Sequence, residues 1–182
     1  MALAMGLLAA WIWRQYFDSY HLAAVQDGVL YRDGFRTPDQ FSRALRSVHA
    51  KTVVCLVDDR EISRPPFNGE SALCTEAGAT LVRIPIPLGG WPDSTQVRQF
   101  LDLAADPSRR PVLVHCAQGV RRTGMMVAAY QESVLRFTKD QASAAILAFG
   151  HSQRTVGDVR RFIDAYDPQT RQMKQSLPMS SE

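Results

Sequence analysis

The chain has 182 residues, 46% of them hydrophobic, and a formal net charge of only +3. That is the size and apolar content of one domain with a single core, and the basic residues are spread too evenly for a nucleic-acid-binding surface. Its three cysteines, Cys55, Cys74 and Cys116, have neither an even count nor C-x-x-C spacing, which argues against a disulfide framework or zinc site and suits a reducing compartment.

Met1 to Trp13 (MALAMGLLAAWIW) is almost wholly apolar. As a helix it would reach about 20 Å, short of the ~30 Å hydrocarbon core. It lacks the basic start and small-residue cleavage site of a secretory signal. Three readings stand: part of a membrane anchor, an interfacial anchor, or a helix packed on the domain. Location therefore stays open between cytoplasmic and membrane-anchored.

Val29-Leu30-Tyr31, after Asp27-Gly28, has the look of a first strand. Thr37-Pro38-Asp39-Gln40 predicts a capped helix start, and the helix to about Val48 puts Phe41, Leu45 and Val48 on one face. Lys51 to Val57 (KTVVCLV) is a β-branched strand, Asp58 to Phe67 a loop, and Asn68 opens a helix that Gly78 ends. Thr80 to Ile86 is another strand, interrupted by Pro85, and Pro87 to Pro92 is a loop. Asp93 or Ser94 caps a helix to about Ala105, and Pro111 to Val114 is a short buried strand. Met125 to Phe137 reads as a helix, Thr138-x-x-Gln141 opens another, and Asp158 to Tyr166 is the last. Strands alternating with helices predict an α/β fold, a mostly parallel central sheet with helices on both faces. The domain is expected over 25–166, with residues 1–24 as apolar segment and linker and 167–182 as a polar, frayed tail.

Between the last strand and its helix lies His115-Cys116-Ala117-Gln118-Gly119-Val120-Arg121-Arg122-Thr123-Gly124. Strand, tight glycine loop and helix aim backbone N–H groups and a helix N-terminus at one small volume, where an anion is expected. The same dipoles and the adjacent arginine favour the thiolate of Cys116, making it a nucleophile beside an oxyanion cradle.

These residues (H-C-x-x-G-x-x-R-T-G) resemble the signature of the cysteine-dependent protein tyrosine and dual-specificity phosphatase superfamily. Gly28-Val29-Leu30-Tyr31-Arg32 and the KTVVCLV strand are similar to its small atypical dual-specificity members of bacterial and fungal type. The resemblance implies that Cys116 attacks phosphorus and becomes a phosphocysteine. It implies that Arg122 clamps two equatorial oxygens with its planar fork, which Lys lacks. Thr123 would help the sulfur leave, and His115 would orient the loop and support the thiolate. Ala117, Gln118, Gly119, Val120 and Arg121 would line the substrate, and Arg121 would favour a multiply phosphorylated ligand. No cofactor is implied, and isolated His21, His49 and His151 lack metal-ligand spacing.

The reaction also needs a proton donor for the leaving oxygen. Trp91-Pro92-Asp93 spells the tripeptide that carries it in tyrosine-specific members of that superfamily, but Asp93 lies nearer the cysteine than their acid does. Asp93 is equally an ordinary helix N-cap, so both roles stand. Asp58 and Asp59, after the neighbouring strand, are the other candidates, or a solvated pair. Arg60 adds positive potential at the rim. Cys55 is either a protective disulfide partner for Cys116 or a small buried apolar residue. The expected function is a metal-independent phosphomonoesterase acting on phosphotyrosine or related phosphoproteins. The alternatives are a phosphoinositide or inositol-polyphosphate phosphatase, and a catalytically weak phosphate-binding module.

Overall fold

The computed structural model describes Gly6 and residues 20–146 and 153–173. The readings of Met1 to Trp13 thus fall almost wholly outside the described residues, as does the tail beyond residue 173. No helix among the described residues is long and apolar enough to cross a membrane.

The sheet is built from β1 (Ala23–Gln26), β2 (Leu30–Gly34), β3 (Thr52–Cys55), β4 (Thr80–Arg83) and β5 (Val112–Cys116) in the order β1-β2-β5-β3-β4. All neighbours run parallel except the β1–β2 hairpin. Every residue of β3 and β5 is buried, the environment that makes central parallel strands near-continuous apolar runs. The helices are α1 (Pro38–Ser47), α2 (Asp59–Ile62), α3 (Glu70–Glu76), α4 (Ser94–Ala105), α5 (Arg121–Ser133), α6 (Lys139–Ile146) and α7 (Gln153–Ala165). A small hairpin, β6 (Tyr166–Asp167) with β7 (Gln172–Met173), follows.

Two apolar layers hold the sheet. On one face Leu30, Val54, Val112 and Val114 pack with Val97 and Phe100 of α4, Met126 of α5 and Phe162 of α7. On the other, Val53, Cys55 and Leu113 pack with Phe35, Phe41 and Leu45. Helices cover both faces, as the alternation of elements predicts. The register aligns Gly34 with Cys116 and Cys55 with His115, so β2, β3 and β5 deliver their following loops to one edge. Ligands bind at that edge in open α/β sheets.

Several boundaries differ from the sequence reading. β1 escaped it because Ala-Ala-Val-Gln carries little strand signal; pairing with β2 makes it a strand. α2 turns inside the expected 58–67 loop, and α7 begins at Gln153, ahead of Asp158. α5 starts at Arg121, so the Arg-Arg-Thr-Gly end of the loop is already its first turn, and it stops before Arg136, whose φ is +61°. The start of the expected frayed tail is partly tied down, since Met173 N donates to Ser94 Oγ at 3.2 Å.

Candidate active site

Alternation along β5 turns His115 and Cys116 to opposite faces of the sheet, and each meets a different environment. Cys116 points to the α5 side and is 2% exposed. Burial alone would push its thiol up, yet the Arg122 charge, the Thr123 hydroxyl and amide and the Gly119 amide together bring it below the ordinary thiol value. That is the condition for a thiolate nucleophile.

The loop can approach the sheet this closely because of two glycines. Gly119 has φ +68°, and a Cβ there would lie 2.4 Å from the Asp33 carbonyl oxygen. A Cβ on Gly34 would meet the Gln118 carbonyl at 2.8 Å. Phe35 N then donates to the carbonyls of both Cys116 and Ala117, at 3.1 and 3.0 Å. The end of β2 is thereby sewn to the loop.

Arg122 rises from the first turn of α5 and is 5% exposed. Its guanidinium meets Glu61 of α2, with Nη1 at 2.7 Å from Oε2 and Nη2 at 3.5 Å from Oε1. Burial opposes its charge, but Glu61 and the Cys116 sulfur outweigh that and hold its pKa above the ordinary value. The fork is therefore filled by a carboxylate, a group that a guanidinium grips with the same two-point geometry as it does a phosphate.

On the opposite face His115 is fully buried and its Nε2 donates to Glu70 Oε1 at 2.6 Å. Cys55 Sγ donates to the other oxygen of Glu70 at 3.1 Å. Burial would lower the His115 pKa, yet Glu70 and Cys55 carry it well above normal, and Glu70 sits below the usual carboxylate value for the reciprocal reason. Polar atoms of Cys55, Glu70 and His115 lie within 4.8 Å of one another, and these hydrogen bonds account for the cluster. Cys55 thus faces away from Cys116: among the two sequence readings it is the buried residue, here with a polar partner. All three cysteines are free thiols.

Arg121 departs from the sequence reading. Its Nε pairs with Asp158 of α7, and its Nη1 and Nη2 donate to the carbonyls of Gly90 and Gly89, each at 2.7 Å. Trp91 Nε1 donates to the same Asp158 at 3.0 Å. The side chain ties the Gly-Gly-Trp loop to α7, so its charge is committed within the protein. Ala117 is half-buried, Gln118 exposed, and Gly119 and Val120 buried in the loop itself.

The carboxylates considered as proton donors are also engaged. Asp93 Oδ1 accepts from Thr95 N and Gln96 N at 2.8 Å, and Gln96 Oε1 accepts from Asp93 N at 2.8 Å. This capping box realises the cap reading. Asp58 accepts from the amides of Arg60 and Leu88, which hold its carboxyl below the usual range. Asp59 pairs with Arg83 at 3.0 Å. The sequence reading missed Glu61, Glu70 and Asp158 as parts of the site, and no local pattern marks them.

The family model described as a DSP-PTPase phosphatase fused to NAD+ kinase matches residues 24–170. Inositol diphosphatase DSP4 of Arabidopsis thaliana is 26% identical over 146 residues, covering 79% of this chain and 71% of that protein. The chloroplastic NAD kinase 2 of the same plant is 39% identical over 57 residues, 31% of this chain but 6% of the relative. Among solved structures, the core catalytic domain of the PP-IP phosphatase SIW14 from S. cerevisiae superposes with a TM-score of 0.70 at 18% identity, covering 85% of this chain and 90% of that one. P. aeruginosa TpbA in complex with pTyr gives 0.66 at 22%, covering 83% and 87%. The fold is shared, the family model runs through most of the chain, and the protein therefore belongs to the DSP-PTPase family described as fused to NAD+ kinase and is a cysteine-dependent phosphatase.

Proposed function

We propose that the protein cleaves the phosphoanhydride of a polyphosphorylated small molecule of the inositol pyrophosphate class, through a phosphocysteine on Cys116 and without a metal. Cys116 Sγ attacks the terminal phosphorus as the bond to the bridging oxygen breaks. Arg122 leaves Glu61 to clamp two equatorial oxygens, and amides of the loop take the third. A water molecule then attacks the phosphocysteine, losing its proton to solvent and releasing phosphate. The Thr123 hydroxyl steadies the departing sulfur, and protonated His115 supports the loop from behind.

The observation that carries the substrate class is the engagement of the carboxylates. Asp93 caps α4, Asp58 is held anionic by two amides, and Asp59 and Glu61 are ion-paired. A tyrosyl ester expels a phenolate whose conjugate acid has a pKa of ~10 and so needs a proton. An anhydride expels a phosphate whose second pKa is about 6, which departs at neutral pH without one. Exposed Arg60 and Arg64 border the same depression as Glu61 and Leu88, and they offer charge to further phosphates where Arg121 does not. Likeness to DSP4, an inositol diphosphatase, agrees with this reading. The phosphotyrosine reading draws on likeness to TpbA in complex with pTyr, and it needs a proton donor, for which Asp93 remains the nearest spelling.

The test compares kcat/KM for a diphosphoinositol polyphosphate with that for a phosphotyrosine peptide, with Cys116→Ser as the blank. The anhydride should lead by about the ~10²–10⁴ that a missing general acid costs the ester. A preference for the peptide, with activity falling at alkaline pH and lost in Asp93→Asn, overturns the assignment.

A further inference from the structure

An arginine in the interior of a strand needs an explanation, because desolvating a charge costs several kcal/mol unless partners offset it. Arg32 of β2 is such a residue, at 4% exposed. It is aligned with Val114 in the parallel β2–β5 pair, and Gly34 is aligned with Cys116. Its side chain therefore leaves the sheet on the Cys116 face, and its Nη2 donates to the Gly119 carbonyl oxygen at 2.5 Å.

The identity of that carbonyl matters. The only cis peptides among the described residues precede Pro66 and Pro111, so the Gly119–Val120 peptide is trans and planar. Its C=O and N–H then point in opposite directions. A guanidinium holding the Gly119 oxygen beneath the loop turns the Val120 N–H the other way, toward the anion. His21 acts alike one residue earlier, its Nδ1 lying 2.8 Å from the Gln118 oxygen, which turns the Gly119 N–H toward the Cys116 sulfur.

Asp33 points to the other face and is buried, and burial pushes its carboxyl well above the usual range despite the Gly34 amide, His115 and Arg32. Glu61 is engaged by Arg122, Glu70 by His115 and Asp158 by Arg121. Burial brings Arg32 down to about 10, so it stays charged, and the Cys116 thiolate and Asp33 both favour that charge.

We propose that Arg32 is a positioning residue of the phosphate loop, which fixes the Gly119–Val120 peptide so that an amide faces the phosphoryl oxygens and whose charge stabilises the Cys116 thiolate. This rests on Cys116 being the reactive thiolate. It adds a second guanidinium, behind the loop, to the one that Arg122 presents in front.

The full chain is tested as wild type, Arg32→Lys and Arg32→Met. The readouts are the pH dependence of Cys116 alkylation by iodoacetamide, the competitive Ki of vanadate, and the thermal midpoint. Arg32→Met should raise the apparent thiolate pKa by about one unit, a tenfold loss of thiolate at pH values well below the wild-type pKa, and weaken vanadate about tenfold or more, up to the ~10²–10³ that a lost oxyanion donor costs. Arg32→Lys should keep the thiolate pKa near wild type and still weaken vanadate, because a point charge does not reproduce the planar hold. A lower midpoint in Arg32→Met with unchanged thiolate pKa and Ki makes the residue merely structural and refutes the proposal. Should Arg32→Met fail to fold, Arg32→Lys decides: wild-type vanadate affinity refutes the role in the loop. Labelling that persists in Cys116→Ser would instead refute the assignment of the thiolate.

Discussion

In the proposed mechanism Arg122 reaches phosphate only by leaving Glu61, so Glu61 would compete with the substrate for the same fork. The carboxylate makes contacts of 2.7 and 3.5 Å to the two terminal nitrogens, with side-chain exposures of 6% for Arg122 and 24% for Glu61. Exposed pairs of this kind contribute ~0.2–1 kcal/mol, and hydrogen bonds to buried charged groups ~1.5–3 kcal/mol. A pair shielded on the arginine side and wet on the carboxylate side falls between, at about 1.5 kcal/mol, or roughly a tenfold factor in binding. Glu61→Gln keeps the shape and removes the charge, so vanadate and inorganic phosphate should bind about tenfold more tightly. Competitive inhibition of p-nitrophenyl phosphate turnover measures this, with Glu61→Ala as the fuller deletion. An unchanged Ki in both variants refutes the competition. A weaker one means that Glu61 orients Arg122 for catalysis instead of occupying its fork.

Glu70→Gln removes the partner of a fully buried imidazolium and should cost about 3–5 kcal/mol in urea unfolding. The pH response should also change sign. In the wild type the raised His115 pKa gives stability that is complete below the unfolded value of ~6.5 and is lost as pH rises through the folded pKa, while the lowered Glu70 pKa gives stability lost as pH falls through its own. In Glu70→Gln the buried His115 favours its neutral form, so the difference from wild type should shrink between pH 5.5 and 7.5; a constant difference contradicts the ion pair. Asp93→Ala should lower stability by about 1 kcal/mol and Asp93→Asn by only a few tenths, with anhydride turnover nearly unchanged in both; equal, large activity losses would restore Asp93 as the proton donor. Gly119→Ala places a Cβ 2.4 Å from the Asp33 oxygen at φ +68°, so vanadate binding should fall by at least about an order of magnitude, up to the ~10²–10³ that a lost oxyanion donor costs, with a lower melting midpoint. Retained affinity would show that the loop has another way to seat itself.

What the sequence determines by itself here is local. Helix caps at Thr37, Asp93 and Thr138 are legible because the bonds that make them, such as Gln40 N to Thr37 Oγ1 at 3.3 Å and Thr138 N to Gln141 Oε1 at 2.8 Å, span three residues. The strand, phosphate loop and helix around Cys116 are legible for the same reason, and so is the α/β alternation. Only the tertiary structure decided which charges meet. Glu61 lies 61 positions from Arg122, Glu70 lies 45 from His115, Arg121 lies 37 from Asp158, and Arg32 lies 87 from the Gly119 carbonyl. Those pairings follow from a sheet order that inserts β5 between β2 and β3, and from the face that each alternating side chain takes. Periodicity shows that Arg121 and Arg122 are adjacent and basic; only the packing sends one into the Gly-Gly-Trp loop and leaves the other at the mouth of the anion cradle.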